Sequence, residues 1–256
     1  MITRQQIIGR AHQDGVPAPT VERDYVLAHC LVAVSRLHEA ESLVLKGGAA
    51  LRMCYFHDYR YSADLDFSLT AGLTREGALR TIGSGLEMVK EEIGFTALGL
   101  VTDFATKITY EGPLGKPRWI KLDMDEAEFV FTSVPKPLIP RYEDVPATEN
   151  LRAYSLAEIT AEKLRCVMQR LQCRDLFDLH YLLEVKGTDQ DDAWEMFEQK
   201  ARHKKIDPAN FFERFDVRVP QYEERWADEM GEHLGGDLPH FEAIRRELRR
   251  RLRPRR

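Results

Sequence analysis

Apolar and polar residues alternate along the segment RYSADLDFSL, residues 60–69. Because successive side chains of a β-strand point to opposite faces of the sheet, this alternation predicts a strand with one packed face and one polar face. The packed face would carry Ala63, Leu65, Phe67 and Leu69. The polar face would carry Ser62, Asp64, Asp66 and Ser68. Two carboxylates are therefore expected on one face of the strand.

Asp64 and Asp66 would repel each other on that face. At a separation of ~5–7 Å the repulsion is roughly 2–3 kcal/mol for an effective dielectric constant of about 20. A compensating cation is therefore expected beside the two carboxylates, and a lysine, an arginine or Mg²⁺ could supply it.

Two further strands are predicted within residues 107–124, where a Gly- and Pro-rich turn separates two alternating segments. On the second of these strands Lys121, Asp123 and Asp125 share the polar face. Asp123 is the natural third carboxylate beside Asp64 and Asp66. An ordinary solvent-facing position, as expected for Asp125, is the alternative.

Gly47 and Gly48 follow an apolar stretch and precede a predicted helix. Glycines at a strand-to-helix turn allow close approach of the backbone to a ligand, and the first N–H groups of a helix bind phosphate. A plain tight turn is the alternative. Together with the aspartates, the turn predicts a site for a triphosphate and the Mg²⁺ that bridges its phosphates.

The remaining pattern divides the chain into a mixed α/β half and a helical half. A helix is predicted over residues 20–40, and the Pro-rich residues 133–150 break both periodicities, which indicates a linker or crossover. Beyond Leu151 the pattern is helical. We therefore expect an α+β fold with one domain over residues 1–150 and a C-terminal helical domain over residues 151–256.

Lys163 lies on the apolar stripe of a predicted helix that begins with Ser155 and Glu158 in capping-box spacing. A lysine in this position is costly unless its ammonium reaches solvent or meets an anion, either a nucleotide phosphate or aspartates. On the next helix Asp175 and Asp178 border the packed side. A catalytic role and a structural network of ion pairs explain these acids equally well.

The composition adds a location and a charge asymmetry. No apolar run is long enough to span a bilayer and the first residues lack the apolar core of a signal peptide, so we expect a cytoplasmic protein with its four scattered cysteines reduced. The net charge is −5. The last twelve residues nevertheless carry eight arginines and one glutamate. Such an end either binds a polyanion or forms the solvated face of a helix packed through Ile244, Leu248 and Leu252.

Several of these motifs, in this order, are similar to those of the AbiEii (MenT-like) nucleotidyltransferase toxins. They are ERDYVL at residues 22–27, LKGGAALR at 45–52, RYSADLDFSL at 60–69, AEKLRCVMQR at 161–170 and RDLFDL at 174–179. The resemblance implies a minimal nucleotidyltransferase fold, a mixed β-sheet flanked by helices, with an appended helical domain. It also implies transfer of a nucleotide from an NTP to RNA, with the tRNA 3′ end as target, neutralisation by a cognate antitoxin and, for some members, phage defence.

The resemblance and the motifs together assign the site residues. Metal ligands are expected at Asp64, Asp66 and Asp123. Nucleotide contacts are expected from Lys46, Gly47, Gly48, Arg52, Ser62 and Lys163. The same carboxylates together with Lys163, Asp175 and Asp178 would form the catalytic set. A basic surface for RNA would come from the C-terminal arginines or from Arg52, Arg60 and Arg118.

Two other interpretations remain open. The same site could nucleotidylate a small molecule or a protein, and the fold could serve as a partner-binding module without catalysis. The clustered acids argue against the second, because a binding surface has no need of three of them.

Overall fold

A computed structural model describes residues 1–236 and 238–252 of the chain. Contacts divide the chain into two compact units, residues 1–154 and 155–256, and each is described by itself. The predicted boundary at residue 150 lies in the bend before a short strand, Arg152–Tyr154, that belongs to the first unit. In the described residues no helix is both long and apolar enough to cross a membrane.

The first unit contains a mixed sheet with helices. Its helices are α1 (Arg4–Asp14), α2 (Ala18–Ser35), α3 (Gly47–Ala50) and α4 (Arg75–Ile93), and α3 continues as a π-helical segment, Leu51–Tyr55. Its strands are β1 (Leu43–Lys46), β2 (Asp64–Leu69), β3 (Ala97–Val101), β4 (Lys107–Glu111), β5 (Pro117–Asp125), β6 (Ser133–Pro135) and β7 (Arg152–Tyr154). The strand order is β3-β4-β5-β2-β1-β7-β6. The pairs β2–β5 and β1–β7 are parallel and the other pairs are antiparallel. The predicted α+β class is thereby confirmed.

Alternation of side chains explains the central strands. Leu65 and Phe67 on β2 are buried, as are Ile120 and Leu122 on β5, whereas the residues between them face away from this core. The predicted strand over residues 60–69 is shorter than expected, since β2 begins at Asp64. The sheet therefore has one packed face and one face on which the polar residues of β2 and β5 stand together.

Helix α2 is buried almost all round and not along a single apolar stripe. Its buried polar residues are paired with other parts of the first unit. Glu22 accepts hydrogen bonds from the backbone N–H of Leu114 at 2.7 Å and from Arg118 at 3.1 Å, which fixes the β4–β5 hairpin turn. Asp24 accepts from Arg52 at 2.8 Å and from the hydroxyl of Tyr142 at 2.8 Å. The ERDYVL motif thus has a structural role.

Residues 133–150 form a packed crossover between β5 and β7, which is one of the two alternatives that the sequence offered. β6 pairs with β7, and the guanidinium of Arg141 donates to the carbonyl oxygens of Arg52, Phe56 and His57 at 2.6 Å each. Outside β6 the segment packs through individual side chains and not through a regular element. Its prolines favour turns, so neither the helical nor the strand periodicity continues through it.

The second unit is helical in its described residues. It contains α5 (Leu156–Gln169), α6 (Cys173–His180) with a π-helical continuation (Tyr181–Val185), α7 (Gln190–His203), α8 (Phe211–Gly231) and α9 (Phe241–Arg251). Ser155 caps α5 by accepting from the backbone N–H of Glu158 at 3.2 Å. At the other end of α5, arginines of α8 donate to carbonyl oxygens of residues 167–171. Cations at a helix C-terminus stabilise both the unpaired carbonyls and the helix dipole.

Helix α9 packs through Ile244, Leu248 and the residue that follows the helix, Leu252, which are all buried. Three arginines of α9 pair with acids: Arg245 with Glu242, Arg249 with Asp216 and Arg250 with Glu184. The arginines at positions 253, 255 and 256 lie outside the described residues. The expected packing of this helix is confirmed for the described part of the segment, and binding of a polyanion by its arginines stays a prediction.

Candidate active site

The parallel register of β2 and β5 brings the predicted carboxylates onto one face of the sheet. Asp66 is the Cα partner of Asp123, and Asp64 is the partner of Lys121. Asp64 and Asp66 are half-buried, and the side chain of Asp123 is 52% exposed. Paired residues on neighbouring strands point to the same face, so the three acids form one group beside Lys121.

Lys121 is a cation beside these acids, as the repulsion between the carboxylates led us to expect. Its ammonium lies 2.6 Å from Oδ2 of Asp123. The hydrogen bond to Asp123, together with the charges of Asp123, Asp66 and Asp64, raises the pKa of Lys121 above its ordinary value despite partial desolvation. All three carboxylates therefore act on this one ammonium group.

The donor chemistry of the acids suits Mg²⁺, although they do not form a closed cage. Among the described residues no group of three or more His, Cys, Asp or Glu side chains is arranged to hold a metal ion. Mg²⁺ keeps several waters and is usually held by one or two carboxylates together with substrate phosphates. Asp64 and Asp66, on one face of β2, could supply such carboxylates, and a metal contact by Asp123, which also contacts Lys121, stays a prediction.

The glycine turn lies against β2. Gly47 has φ +67°, a conformation that L side chains rarely adopt, and a Cβ on it would stand 3.3 Å from Oδ2 of Asp66. A Cβ on Gly48 would stand 2.7 Å from Nη2 of Arg60, which is buried. The backbone of the turn therefore closely approaches both a carboxylate and a guanidinium, and the positive φ of Gly47 favours glycine at that position.

Lys46, which immediately precedes the turn, is the Cα partner of Asp66 on the antiparallel β1–β2 pair. Its ammonium lies 2.7 Å from Oε2 of Glu128, whose side chain is only 4% exposed. Lys46, Asp66 and Asp123 thus form a row across three neighbouring strands.

Two other expected nucleotide contacts lie in the interior. Arg52 is buried, donates to both carboxylate oxygens of Asp24 and to the carbonyl of Tyr59, and lies 3.9 Å from the ring centroid of Tyr61. Ser62 is buried before the start of β2, and its hydroxyl is 3.5 Å from the carbonyl oxygen of Asp64. The buried ion pair gives Arg52 a structural function, and a nucleotide contact by either residue stays a prediction.

The basic surface expected from Arg52, Arg60 and Arg118 is wrong. Arg52 and Arg60 are 4% and 3% exposed, and Arg118 pairs with the buried Glu22. Their positive charges are used inside the first unit, where a guanidinium can satisfy several carbonyl and carboxylate acceptors at once.

In the second unit Lys163 meets aspartates, one of the two anions that the sequence allowed. Its ammonium lies 2.9 Å from Oδ1 of Asp175 and 2.5 Å from Oδ2 of Asp178. Arg170 donates to Oδ2 of Asp175 at 2.8 Å. Burial alone would raise the pKa of Asp175, but Lys163 and Arg170 outweigh it and hold the pKa below its ordinary value. This network joins α5 to α6, and catalytic roles for its members stay predictions.

A family model described as "Nucleotidyl transferase AbiEii toxin, Type IV TA system" matches residues 29–247. The chain belongs to this family. The motif resemblance is thereby confirmed, and the protein is a nucleotidyltransferase toxin of the AbiEii family.

The solved structure of MenT4 shares the fold of this chain. MenT4, a nucleotidyltransferase toxin from Mycobacterium tuberculosis, superposes with a TM-score of 0.70 at 21% identity over 99% of this chain and 89% of that one. A proposed nucleotidyltransferase from H. pylori gives a TM-score of 0.49 at 19% identity over 88% and 89% of the two chains. An antigenic nucleotidyltransferase-like protein from Paracoccidioides brasiliensis gives 0.39 at 13% identity over 73% and 93%. No curated protein sequence matches the chain.

In this AbiEii chain the sequence reasoning missed three contacts at the site. Lys121 shares the polar alternation of Asp123, so its position on the same face was visible, but its role as counter-ion was not. Arg60 behind Gly48 and Glu128 beside Lys46 join residues distant in sequence or separated by an irregular loop. No periodicity signals such contacts.

Proposed function

We propose that the chain transfers a nucleotide from an NTP to RNA, with the unpaired 3′ end of tRNA as the acceptor, in a reaction that requires Mg²⁺. The observation that supports this most is the row of register partners that places Asp64, Asp66 and Asp123 on one sheet face beside the Gly47–Gly48 turn. Membership of the AbiEii family supports the nucleotidyltransferase chemistry.

Asp64 and Asp66 would hold Mg²⁺ through their carboxylate oxygens. When bound, Mg²⁺ would neutralise charge on the triphosphate, polarise the α-phosphorus that the RNA hydroxyl attacks and stabilise the pyrophosphate that leaves. The backbone of Gly47 and Gly48 would lie against the phosphates, since neither residue has a side chain to keep them away. Lys46 would add a positive charge on the same side.

Asp123 would accept the proton of the acceptor hydroxyl. Its carboxylate is half-exposed and stands opposite Asp66, so a hydroxyl held there would lie beside the metal-binding pair. Lys121 keeps Asp123 oriented toward this position through its 2.6 Å contact. Proximity and orientation, more than covalent chemistry, would provide the rate enhancement.

Modification of tRNA by this chain would inhibit translation and growth, and a cognate antitoxin would neutralise it. The support for this step is the family description as a toxin of a type IV toxin–antitoxin system. A role in phage defence would follow from the same growth arrest.

The test is transfer of label from each of four α-labelled NTPs to total RNA, compared between the wild-type protein and Asp66→Asn. We expect label in tRNA with the wild type and a loss of at least about 100-fold with Asp66→Asn, since the substitution removes a metal-binding charge. Asp125→Asn is the matched control, because Asp125 lies on the same face of β5 and its carboxylate accepts from the backbone N–H of Ala127 at 2.9 Å.

Full transfer by a folded Asp66→Asn protein, or label found only in added small molecules or proteins, would refute the proposal. Transfer that persists after Mg²⁺ is removed with EDTA would refute the metal assignment alone.

A further inference from the structure

Trp119 is a large aromatic side chain that stands exposed on the sheet face that carries the acids. It lies on β5, is 54% exposed, and shares the polar alternation of Lys121 and Asp123. Its Cα partner on β4 is Thr109, whose own partner on β3 is Gly99. The row of residues next to the indole therefore contains no large side chain.

Cations flank the indole on this face. The ammonium of Lys107 lies 4.5 Å from the centroid of the Trp119 ring. Lys107 is also the Cα partner of Lys121, so two lysines lie side by side between Trp119 and the acids. An aromatic ring with adjacent ammonium groups is the combination that binds unpaired nucleotides, the ring contacting a base and the cations contacting phosphates.

The sheet order separates Trp119 from the glycine turn. Gly47 and Gly48 follow β1, on one side of the β2–β5 acids. Lys107 lies on β4, on the other side, and Trp119 lies on β5 itself, away from Asp123 along the strand. Trp119 is four residues before Asp123 on the same strand, a distance of about 13 Å. An NTP held at the turn would leave the Trp119 side for the second substrate.

We propose that Trp119 stacks on an unpaired base of the RNA acceptor and that Lys107 contacts the adjoining phosphate. This inference rests on the proposed RNA acceptor and adds the subsite that positions it. The separation of about 13 Å from Asp123 places the stacked base in a nucleotide that precedes the one that reacts and not in the reacting nucleotide itself. Double-stranded RNA would not use the subsite, since its bases are already stacked on each other.

The test measures binding without catalysis. A short single-stranded oligoribonucleotide carrying a fluorescent label would be titrated with the wild type, Trp119→Ala, Trp119→Tyr and Phe104→Ala in the absence of NTP. Phe104 is the control, because it is an exposed aromatic residue of the first unit that precedes β4 and does not lie on β5.

We expect Trp119→Ala to weaken binding about ten-fold, which corresponds to about 1.4 kcal/mol. Trp119→Tyr should keep most of the affinity because it retains a ring that can stack, and Phe104→Ala should leave it unchanged. Binding of the single-stranded oligonucleotide should quench the tryptophan fluorescence of the wild type and quench that of Trp119→Tyr much less. The double-stranded form should not quench the tryptophan fluorescence of either protein.

Equal affinity of the wild type and Trp119→Ala for the single strand would overturn the inference. So would loss of antitoxin binding by Trp119→Ala with RNA binding unchanged, which would make the residue a protein contact. Transfer assays separate the two proposals. If Trp119→Ala transfers nucleotide to RNA with an unaltered KM, the Trp119 subsite is refuted and the proposed function stands. If RNA binding depends on Trp119 but no nucleotide is transferred to RNA, the proposed function is refuted and the Trp119 subsite stands.

Discussion

At the scale of single residues, Lys121 explains how three acids coexist on one sheet face. Its ammonium is bound to Asp123 and is influenced by Asp66 and Asp64, so the group carries its own cation in the absence of any ligand. A bound divalent ion would compete with that ammonium for the same carboxylates.

We predict that the thermal stability of Lys121→Met depends more strongly on Mg²⁺ than the thermal stability of the wild type does. The substitution leaves the acids without their internal counter-ion. Because the lysine is half-exposed, the free energy of unfolding should fall by only about 0.5–1 kcal/mol. Added MgCl₂ should then raise the melting temperature of Lys121→Met more than that of the wild type. Lys116→Met, in the exposed hairpin turn before β5, is the control. Equal Mg²⁺-induced shifts in all three proteins would contradict the prediction.

At the scale of elements, the contact between α5 and α6 depends on a buried network of charges. Asp175 and Asp178 have no exposed surface and Lys163 is 5% exposed, so removal of the lysine would leave two buried carboxylates without its positive charge, although Arg170 would still contact Asp175. Breaking a buried pair from one side costs about 3–5 kcal/mol.

We predict that Lys163→Met lowers the free energy of unfolding by about 3–5 kcal/mol. The double variant Lys163→Met with Asp178→Asn should recover part of this stability. Thermal melts of the three proteins test this. Because the pKa of Asp175 is held below its ordinary value, its contribution to stability is present above the unfolded-state pKa and is lost as the pH falls. The difference in free energy of unfolding between the wild type and Lys163→Met should therefore become smaller as the pH falls. A stable Lys163→Met protein that has lost only transfer activity would instead favour the phosphate-binding role.

Strands β2 and β5 and helix α5 show which features of an element can be predicted from sequence. The alternation in β2 and β5 identifies their polar faces, and the Ser155 cap identifies the start of α5, because each signal lies within a few residues. The parallel pairing of Asp66 with Asp123 depends on contacts between segments more than fifty residues apart. Similarly, Arg52 and Arg60 are charged residues placed inside by the partners they meet, which composition does not reveal.

At the scale of the whole molecule, net charge opposes the proposed RNA partner. The chain has 37 basic and 42 acidic residues, so a polyanion is repelled at long range and binding requires a local concentration of cations. Helix α9 provides one, but Arg245, Arg249 and Arg250 are paired with acids. Arg246 and Arg251 are exposed on the same helix.

We predict that Arg246→Gln with Arg251→Gln weakens RNA binding at low salt and has little effect at high salt. Each lost phosphate contact should reduce the slope of log affinity against log salt concentration by about 0.7 for a single strand. Substitution is preferable to truncation at residue 245, because truncation would also remove the buried Leu248 and Leu252 and so combine loss of packing with loss of charge. Arg202→Gln, which removes an exposed arginine paired with Glu198 on α7, is the control. An unchanged salt slope in the double variant would show that RNA binds elsewhere, and Lys107 and Lys121 beside Trp119 would then be the expected phosphate contacts.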